Sequence, residues 1–350
     1  MSPPLHSNSS YSSMFSAWPP TSPTYTTAPP RSESSSPLLP SLSMAIGALS
    51  NALGLWILAR AYSHSRRLRR SRAQFLLLAS GLLLTDLAGH VITGSFVLWL
   101  YSYGGISMGG CQFLGCCMVF FGLSPLFLGL LMACERCLGL TRPLWHAIMV
   151  THNRARISLA LTWAVALLVS TLPFLGYGTY GLQPSGTWCF LQEPPGFCLL
   201  FSGLGLGSLA AALICNMIVG VTLLRARMQR KSEGDRRRHR RGTRSHDLEM
   251  VVQLLAITLV SCVCWSPLLV SVVMLQTGAP FPRPNWLLLT VRLASCNQIL
   301  DPWVYILLRR SVLHRLCSIF VRVARVRGGK PIRWDPGDFQ SSEHSAVSHL

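Results

Sequence analysis

The chain has 350 residues, half of them hydrophobic and only 12% charged, a balance that excludes an ordinary soluble domain and points to a membrane protein. Its mean hydropathy is +0.40 and its formal net charge +19. The charge alone would suit a nucleic-acid surface, but the run from Arg236 to Arg241 lies between two apolar segments, so no nucleic-acid partner is expected.

Residues 1–40 are rich in Pro, Ser and Thr and hold no apolar run, which predicts a disordered tail. No apolar stretch follows early basic residues as in a cleavable signal, so the first span is expected to serve as an uncleaved anchor. Asn8 begins the sequon Asn8-Ser9-Ser10, a candidate glycosylation site. Apolar runs of membrane-spanning length then follow at 41–61, 74–101, 109–140, 157–177, 198–224, 250–275 and 286–308. The expected fold is therefore all-α, a bundle of seven transmembrane helices over 41–308. Of the 31 Lys and Arg, all but Arg31, Arg283 and Arg292 fall in three alternate connections and the C-terminal tail. Basic loops stay cytoplasmic, which places the N-terminus outside and the C-terminus inside, beside anionic lipid. Basic and apolar residues over 309–320 predict a short amphipathic helix on the cytoplasmic membrane surface. Cys317 within it is a candidate palmitate site, against the plainer reading of a buried thiol, and 321–350 reads as a flexible polar tail.

Most of the 12 cysteines lie in apolar spans, where cysteine behaves as a small hydrophobe. Cys111 and Cys189 fall on the outer side, where they can pair as a disulfide, with Cys198 the competing partner. Enzyme signatures are missing: Gly203-Leu204-Gly205-Leu206-Gly207 lacks nucleotide-loop spacing, and Gly203 and Gly207 read as a helix-packing face. No catalytic residue, cofactor or metal beyond a sodium ion is expected, and the chain does not read as an enzyme.

The charges inside the spans carry the most information, because an ionisable group at membrane depth needs a partner. Glu135 has one in its neighbour Arg136. Arg292 does not: Asp301 lies nine residues on, on the opposite helix face and roughly 13 Å deeper. Arg292 either reaches outward to water or Glu193, or faces an anionic ligand. Asp86, His90, Thr93, Val97 and Tyr101 share one face of the second span, ending at the level of Arg292. That stripe suits helix packing and equally an oxygenated ligand, and a lone His90 is ordinarily just hydrogen-bonded.

Seven spans, Cys111 with Cys189, Glu135-Arg136-Cys137, Cys264-Trp265-Ser266-Pro267 and Asp301-Pro302-Trp303-Val304-Tyr305 resemble a rhodopsin-like G-protein-coupled receptor. Cys137 and Asp301 replace the residues usual at those motif positions and are similar to prostanoid receptors. So are Gly186-Thr187-Trp188-Cys189-Phe190 and Arg292-Leu293-Ala294-Ser295. Within that branch, Thr85-Asp86-Leu87-Ala88-Gly89-His90 and Met118-Val119-Phe120-Phe121-Gly122 resemble the calcium-mobilising prostaglandin E group.

The resemblance implies that a prostanoid carboxylate pairs with Arg292, with hydrogen bonds from Tyr101 and Thr187 and a roof from Trp188. It further implies wall contacts from Met118, Ser295 and Gln298, and ring contacts from His90 and Thr93. Tyr101 and Thr187 have plainer readings as rim packing and loop structure. For signalling it implies prostaglandin E2 as ligand, a Gq-class heterotrimeric G protein as partner and calcium release. Glu135, Arg136, Trp265, Pro267, Asp301, Pro302 and Tyr305 would form the switch, and Asp86, Asn51, Asn297 and Asp301 a sodium or water network. Prostaglandin F2-alpha or thromboxane A2 remain alternative ligands. An organic-anion transporter is the alternative of a different class, although the chain shows no internal repeat.

Overall fold

The computed structural model describes residues 26–27, 36–64, 70–149, 151–192, 195–232, 241–277 and 286–307. Asn8, Glu193, the expected surface helix at 309–320 with Cys317, and the tail at 321–350 lie outside them. Two parts of the expected disordered tail are structured. Thr26–Thr27 (β1) pairs antiparallel with Gly105–Ile106 (β2), and the first helix starts at Leu38 rather than at 41.

Without water, every backbone N–H and C=O must be satisfied within the chain, so long apolar runs become helices. These are α1 (Leu38–His64), α2 (Arg70–Tyr103), α3 (Met108–Thr141), α4 (Pro143–Met149), α5 (His152–Thr171), α6 (Pro195–Ser232), α7 (Arg241–Gln276) and α8 (Trp286–Leu307). Apart from the short α4, they are the seven expected spans. Six are long and apolar enough to cross a membrane by length and composition. The seventh, α8, carries Arg292 and Asp301 within its 22 residues and closes the bundle by packing on α1 and α7. Trp56, Trp99, Leu168 and Val263 are exposed on the bundle's outer surface, as a lipid-facing surface requires.

The long α3 forms the axis, packed against α2, α5, α6 and α7. Ser107 caps its start, accepting a hydrogen bond from the Gly110 amide. Polar ties join other helices: Trp163 Nε1 donates to Thr85 Oγ1 at 3.0 Å, and Asn216 Nδ2 to Thr258 Oγ1 at 2.7 Å. Such interhelical bonds contribute about 0.6 kcal/mol each in a membrane.

One expectation needs correcting, and one span ends in an unexpected form. The fourth span, expected over 157–177, runs to Leu175, but its α-helix α5 ends at Thr171. A 3₁₀ turn over Leu172–Leu175 follows, where Pro173 can donate no backbone bond, and Gly176 closes it with a φ of 88°. Gly203 and Gly207 do not form a helix-packing face, since a Cβ at either would meet nothing within 4 Å. Gly205 makes the close approach instead, with a would-be Cβ 2.8 Å from Leu269.

Between α5 and α6 a hairpin folds over one end of the bundle. Strands Tyr180–Leu182 (β3) and Cys189–Leu191 (β4) pair antiparallel, with Leu182 opposite Cys189. Gly186 allows the turn through its φ of 66°. The Cys111–Cys189 disulfide pins β4 to the start of α3, and Cys198 stays a free, buried thiol. Tyr180 Oη donates to the Ser170 carbonyl at 2.7 Å, and burial pushes this hydroxyl up from its ordinary pKa, so it stays protonated. The Tyr180 ring lies so close to Gly115 that a Cβ there would come within 2.5 Å of it. Gly115→Ala is expected to destabilise by about 1–3 kcal/mol through overpacking. A thermal-unfolding midpoint equal to wild type would contradict this.

Candidate ligand-binding site

Beneath the hairpin lies a cavity of about 50 Å³. Four of the residues expected at the ligand line it: Thr93 from α2, Met118 from α3, and Ser295 and Gln298 from α8. Their positions are fixed locally. Thr93 Oγ1 donates to the Gly89 carbonyl at 2.5 Å, and Ser295 Oγ to that of Val291 at 3.0 Å. Gln298 Nε2 donates to the Phe121 carbonyl at 2.9 Å, while the Gln298 carbonyl accepts from Asn51 Nδ2 at 2.9 Å. Trp265, expected as part of the switch, also lines the cavity and lies against Gly122.

Sequence reasoning missed Phe121, Gly122, Phe190, Phe201, Leu268, Val291 and Ala294 in this wall. Part of the signal was present: Val291, Ala294, Ser295 and Gln298 recur at helical spacing around Arg292. Phe190, Phe201 and Leu268 come from the hairpin, α6 and α7, and only the tertiary fold brings them together.

At the hairpin end of α8, Arg292 donates from Nη2 to Tyr101 Oη at 3.4 Å, a long hydrogen bond between residues 191 apart in sequence. Tyr101 is buried and Arg292 exposed. Among the described residues no carboxylate pairs with Arg292. The pair sits beside the cavity, because Val291 and Ser295, flanking Arg292 on α8, are in its wall. Thr187 is buried in the hairpin, where its hydroxyl shares a hydrogen bond with Ser185 at 3.0 Å. Trp188 is buried next to the disulfide, 5.2 Å from the Phe190 ring. His90 is turned away from the cavity towards α1, where a Cβ on Gly47 would fall 2.3 Å from its Nε2. The structure thus joins Arg292 to Tyr101 and gathers Thr93, Met118, Ser295 and Gln298, while Thr187, Trp188 and His90 stand outside the cavity wall.

The cavity is thus mostly apolar, walled by α2, α3, α6, α7 and α8 under a disulfide-pinned hairpin. The sequence profile "7 transmembrane receptor (rhodopsin family)" matches residues 51–305. The chain belongs to the rhodopsin family of seven-transmembrane receptors. It is 46% identical over 389 residues to the "Prostaglandin E2 receptor EP1 subtype" of Canis lupus familiaris, covering 96% of this chain and 94% of that protein. The Homo sapiens protein of that name is 46% identical, with 90% and 92% coverage. The "Prostaglandin F2-alpha receptor" of Homo sapiens is 43% identical over 79% of each chain. Squid rhodopsin superposes with a TM-score of 0.68 at 16% identity, covering 89% of this chain and 91% of its own, which shows the fold. The family is one of receptors, not enzymes, and these relatives place the chain in its prostanoid branch.

The receptor's other expected features sit deeper. Asp86 and Asp301 are fully buried within electrostatic reach of each other. Asn297 Nδ2 donates to Asp301 Oδ2 at 3.2 Å, and Asn51 Nδ2 to the Gly47 carbonyl at 2.9 Å. Among the described residues, the side-chain oxygens Oδ1 of Asn51 and Asn297 are buried with no hydrogen-bond partner beside the facing Asp86 and Asp301, an arrangement of oxygen donors that fits water or a small hard cation. Pro267 and Pro302 lie within α7 and α8. Nothing is described of the Tyr305 side chain. At the end of the receptor away from the hairpin, Glu135 holds Arg136 at 3.4 Å, and the Arg136 guanidinium lies 4.9 Å over the Phe75 ring. His146 of α4 adds a contact missed in the sequence, its Nε2 3.6 Å from Glu135 Oε1. No local spacing pointed to it, since the break at Arg142 and Pro143 turns α4 back towards α3.

Proposed function

We propose that the receptor binds prostaglandin E2 and signals through a Gq-class G protein and phospholipase C to raise cytoplasmic calcium. The observation that carries this reading is Arg292, linked to Tyr101 beside the cavity, in a chain 46% identical to prostaglandin E2 receptors. The guanidinium would take the ligand's carboxylate as a bidentate, charge-assisted pair, with Tyr101 as a second donor. Thr187 would add a third after releasing Ser185, and Trp188 would roof the site. The apolar chains would enter the cavity past Met118, Phe121 and Phe201 towards Thr93, Ser295 and Gln298. A cavity of about 50 Å³ is small beside the roughly 300 Å³ or more of a typical ligand pocket. Agonist binding must therefore widen it, and Trp265 in its wall would carry that displacement into α7.

The basic connections support an N-terminus outside and a C-terminus inside the plasma membrane, with Asn8 open to glycosylation and Cys317 to palmitoylation. Opening the Arg136 end would expose Arg136 to the G protein, the ligand shifting an existing equilibrium. Asp86, Asn51, Asn297 and Asp301 would hold a sodium ion or waters in the inactive state, and Pro302 and Tyr305 would move with α8.

Radiolabelled prostaglandin E2 should bind saturably to cells expressing the full chain and raise calcium, with prostaglandin F2-alpha weaker. A stronger response to prostaglandin F2-alpha would reassign the ligand, as the 43% identity to its receptor allows. Uptake into vesicles without any signal would overturn the receptor reading. Loss of the His146 contact, worth about 0.5–1 kcal/mol, should raise ligand-independent nucleotide exchange about two- to five-fold in His146→Ala. Basal exchange at or below the wild-type level would show that His146 does not restrain the switch.

A further inference from the structure

Three thiols meet where α3 packs on α6, with Cys134 and Cys137 flanking Glu135 and Arg136 in sequence. Cys134 Sγ lies 3.8 Å from Cys215 Sγ, and Cys137, on the same face of α3 as Cys134, also reaches Cys215. All three are partly buried. Small apolar packing would account for cysteine at any one of these positions, but not for sulfur facing sulfur across two helices. A disulfide needs the sulfurs at about 2.05 Å, so the 3.8 Å pair must close by roughly 1.8 Å.

We propose that Cys134 and Cys215 are an oxidisable dithiol, and that their disulfide staples α3 to α6 beside Glu135 and Arg136. The oxidant is hydrogen peroxide, small and neutral enough to enter the membrane. One sulfur attacks the peroxide: an S–O bond forms, the O–O bond breaks and water leaves, giving a sulfenic acid. The second sulfur attacks the first: the S–S bond forms, the S–O bond breaks and a second water leaves. Two thiols and one peroxide become one disulfide and two waters, the two electrons passing from sulfur to oxygen. Bridging across the interface restrains movement of α6 against α3, so the oxidised receptor responds less to agonist. This consequence rests on the proposed receptor function; the bridge itself does not.

The test treats the full chain in membranes with hydrogen peroxide, blocks remaining thiols with N-ethylmaleimide and maps peptides by mass spectrometry. A Cys134–Cys215 linked peptide, two hydrogens lighter than the reduced pair and absent after dithiothreitol, is expected. It should persist in Cys137→Ser and vanish in Cys134→Ser and Cys215→Ser. Both thiols carrying maleimide after oxidation, or Cys215 linked only to Cys137, overturns the assignment. In the same membranes, oxidation should lower prostaglandin E2-driven nucleotide exchange in the wild type and leave it unchanged in Cys134→Ser and Cys215→Ser. A linked receptor with undiminished exchange overturns the restraint. A linked receptor whose untreated form also fails to respond to any prostanoid leaves the bridge standing and removes the functional reading.

Discussion

Arg292→Ala is expected to abolish high-affinity prostaglandin E2 binding while leaving surface expression close to wild type. Arg292 is exposed and its described polar partner is the Tyr101 hydroxyl, 3.4 Å away, so its removal costs the folded receptor little. Binding loses a hydrogen-bonded charge pair worth about 1.5–3 kcal/mol, or on the order of 10–100-fold in Kd. Arg292→Lys keeps the charge but loses the planar fork and should fall between the two. Tyr101→Phe should cost less than either, since it removes one neutral donor. Saturation binding normalised to surface protein decides the matter, and undiminished affinity in the alanine variant would remove Arg292 from the site.

Cys111→Ser or Cys189→Ser should produce the second large effect, on both folding and binding. The bridge spans a sequence separation of 78 residues, and a closed loop of that length corresponds to about 4.5 kcal/mol of chain entropy, against about 2–4 kcal/mol for disulfides in general. Helices that persist in lipid bring the value towards the lower end. Cys189, Phe190 and Trp188 share one short stretch of the hairpin, so freeing β4 from α3 also loosens the roof and one wall of the cavity. Reduced surface expression with ligand affinity lowered at least several-fold is expected, together with a lower thermal midpoint. Wild-type affinity and stability in either serine variant would contradict a structural role for the bridge.

The helices were legible because apolar runs of membrane length have no other satisfied conformation, and Arg292 was legible because a charge in such a run demands a partner. Ends were less so: Pro173 and Gly176 convert the close of the fourth span into a 3₁₀ turn, which apolar content does not register. Gly203 and Gly207 have packing-motif spacing, but which face meets a neighbour depends on the rotation of α6, and Gly205 won that position. His90 shares the phase of Thr93 and Tyr101 on α2, yet the missing Cβ of Gly47 lets its buried ring pack against α1, away from the cavity. Helical phase could not reveal this, because it depends on a glycine in another helix. The aromatic half of the cavity, Phe190 and Phe201, and the His146 contact to Glu135 arise only from tertiary convergence.

Recognition between Arg292 and a ligand carboxylate is isolated by a four-way binding comparison. Prostaglandin E2 and its methyl ester, which lacks the charge, are each measured at equilibrium on wild-type receptor and on Arg292→Ala. Esterification should weaken binding to the wild type by on the order of 10-fold or more and have little effect on the alanine variant. An equal loss on esterification in both receptors would show that the carboxylate is held elsewhere.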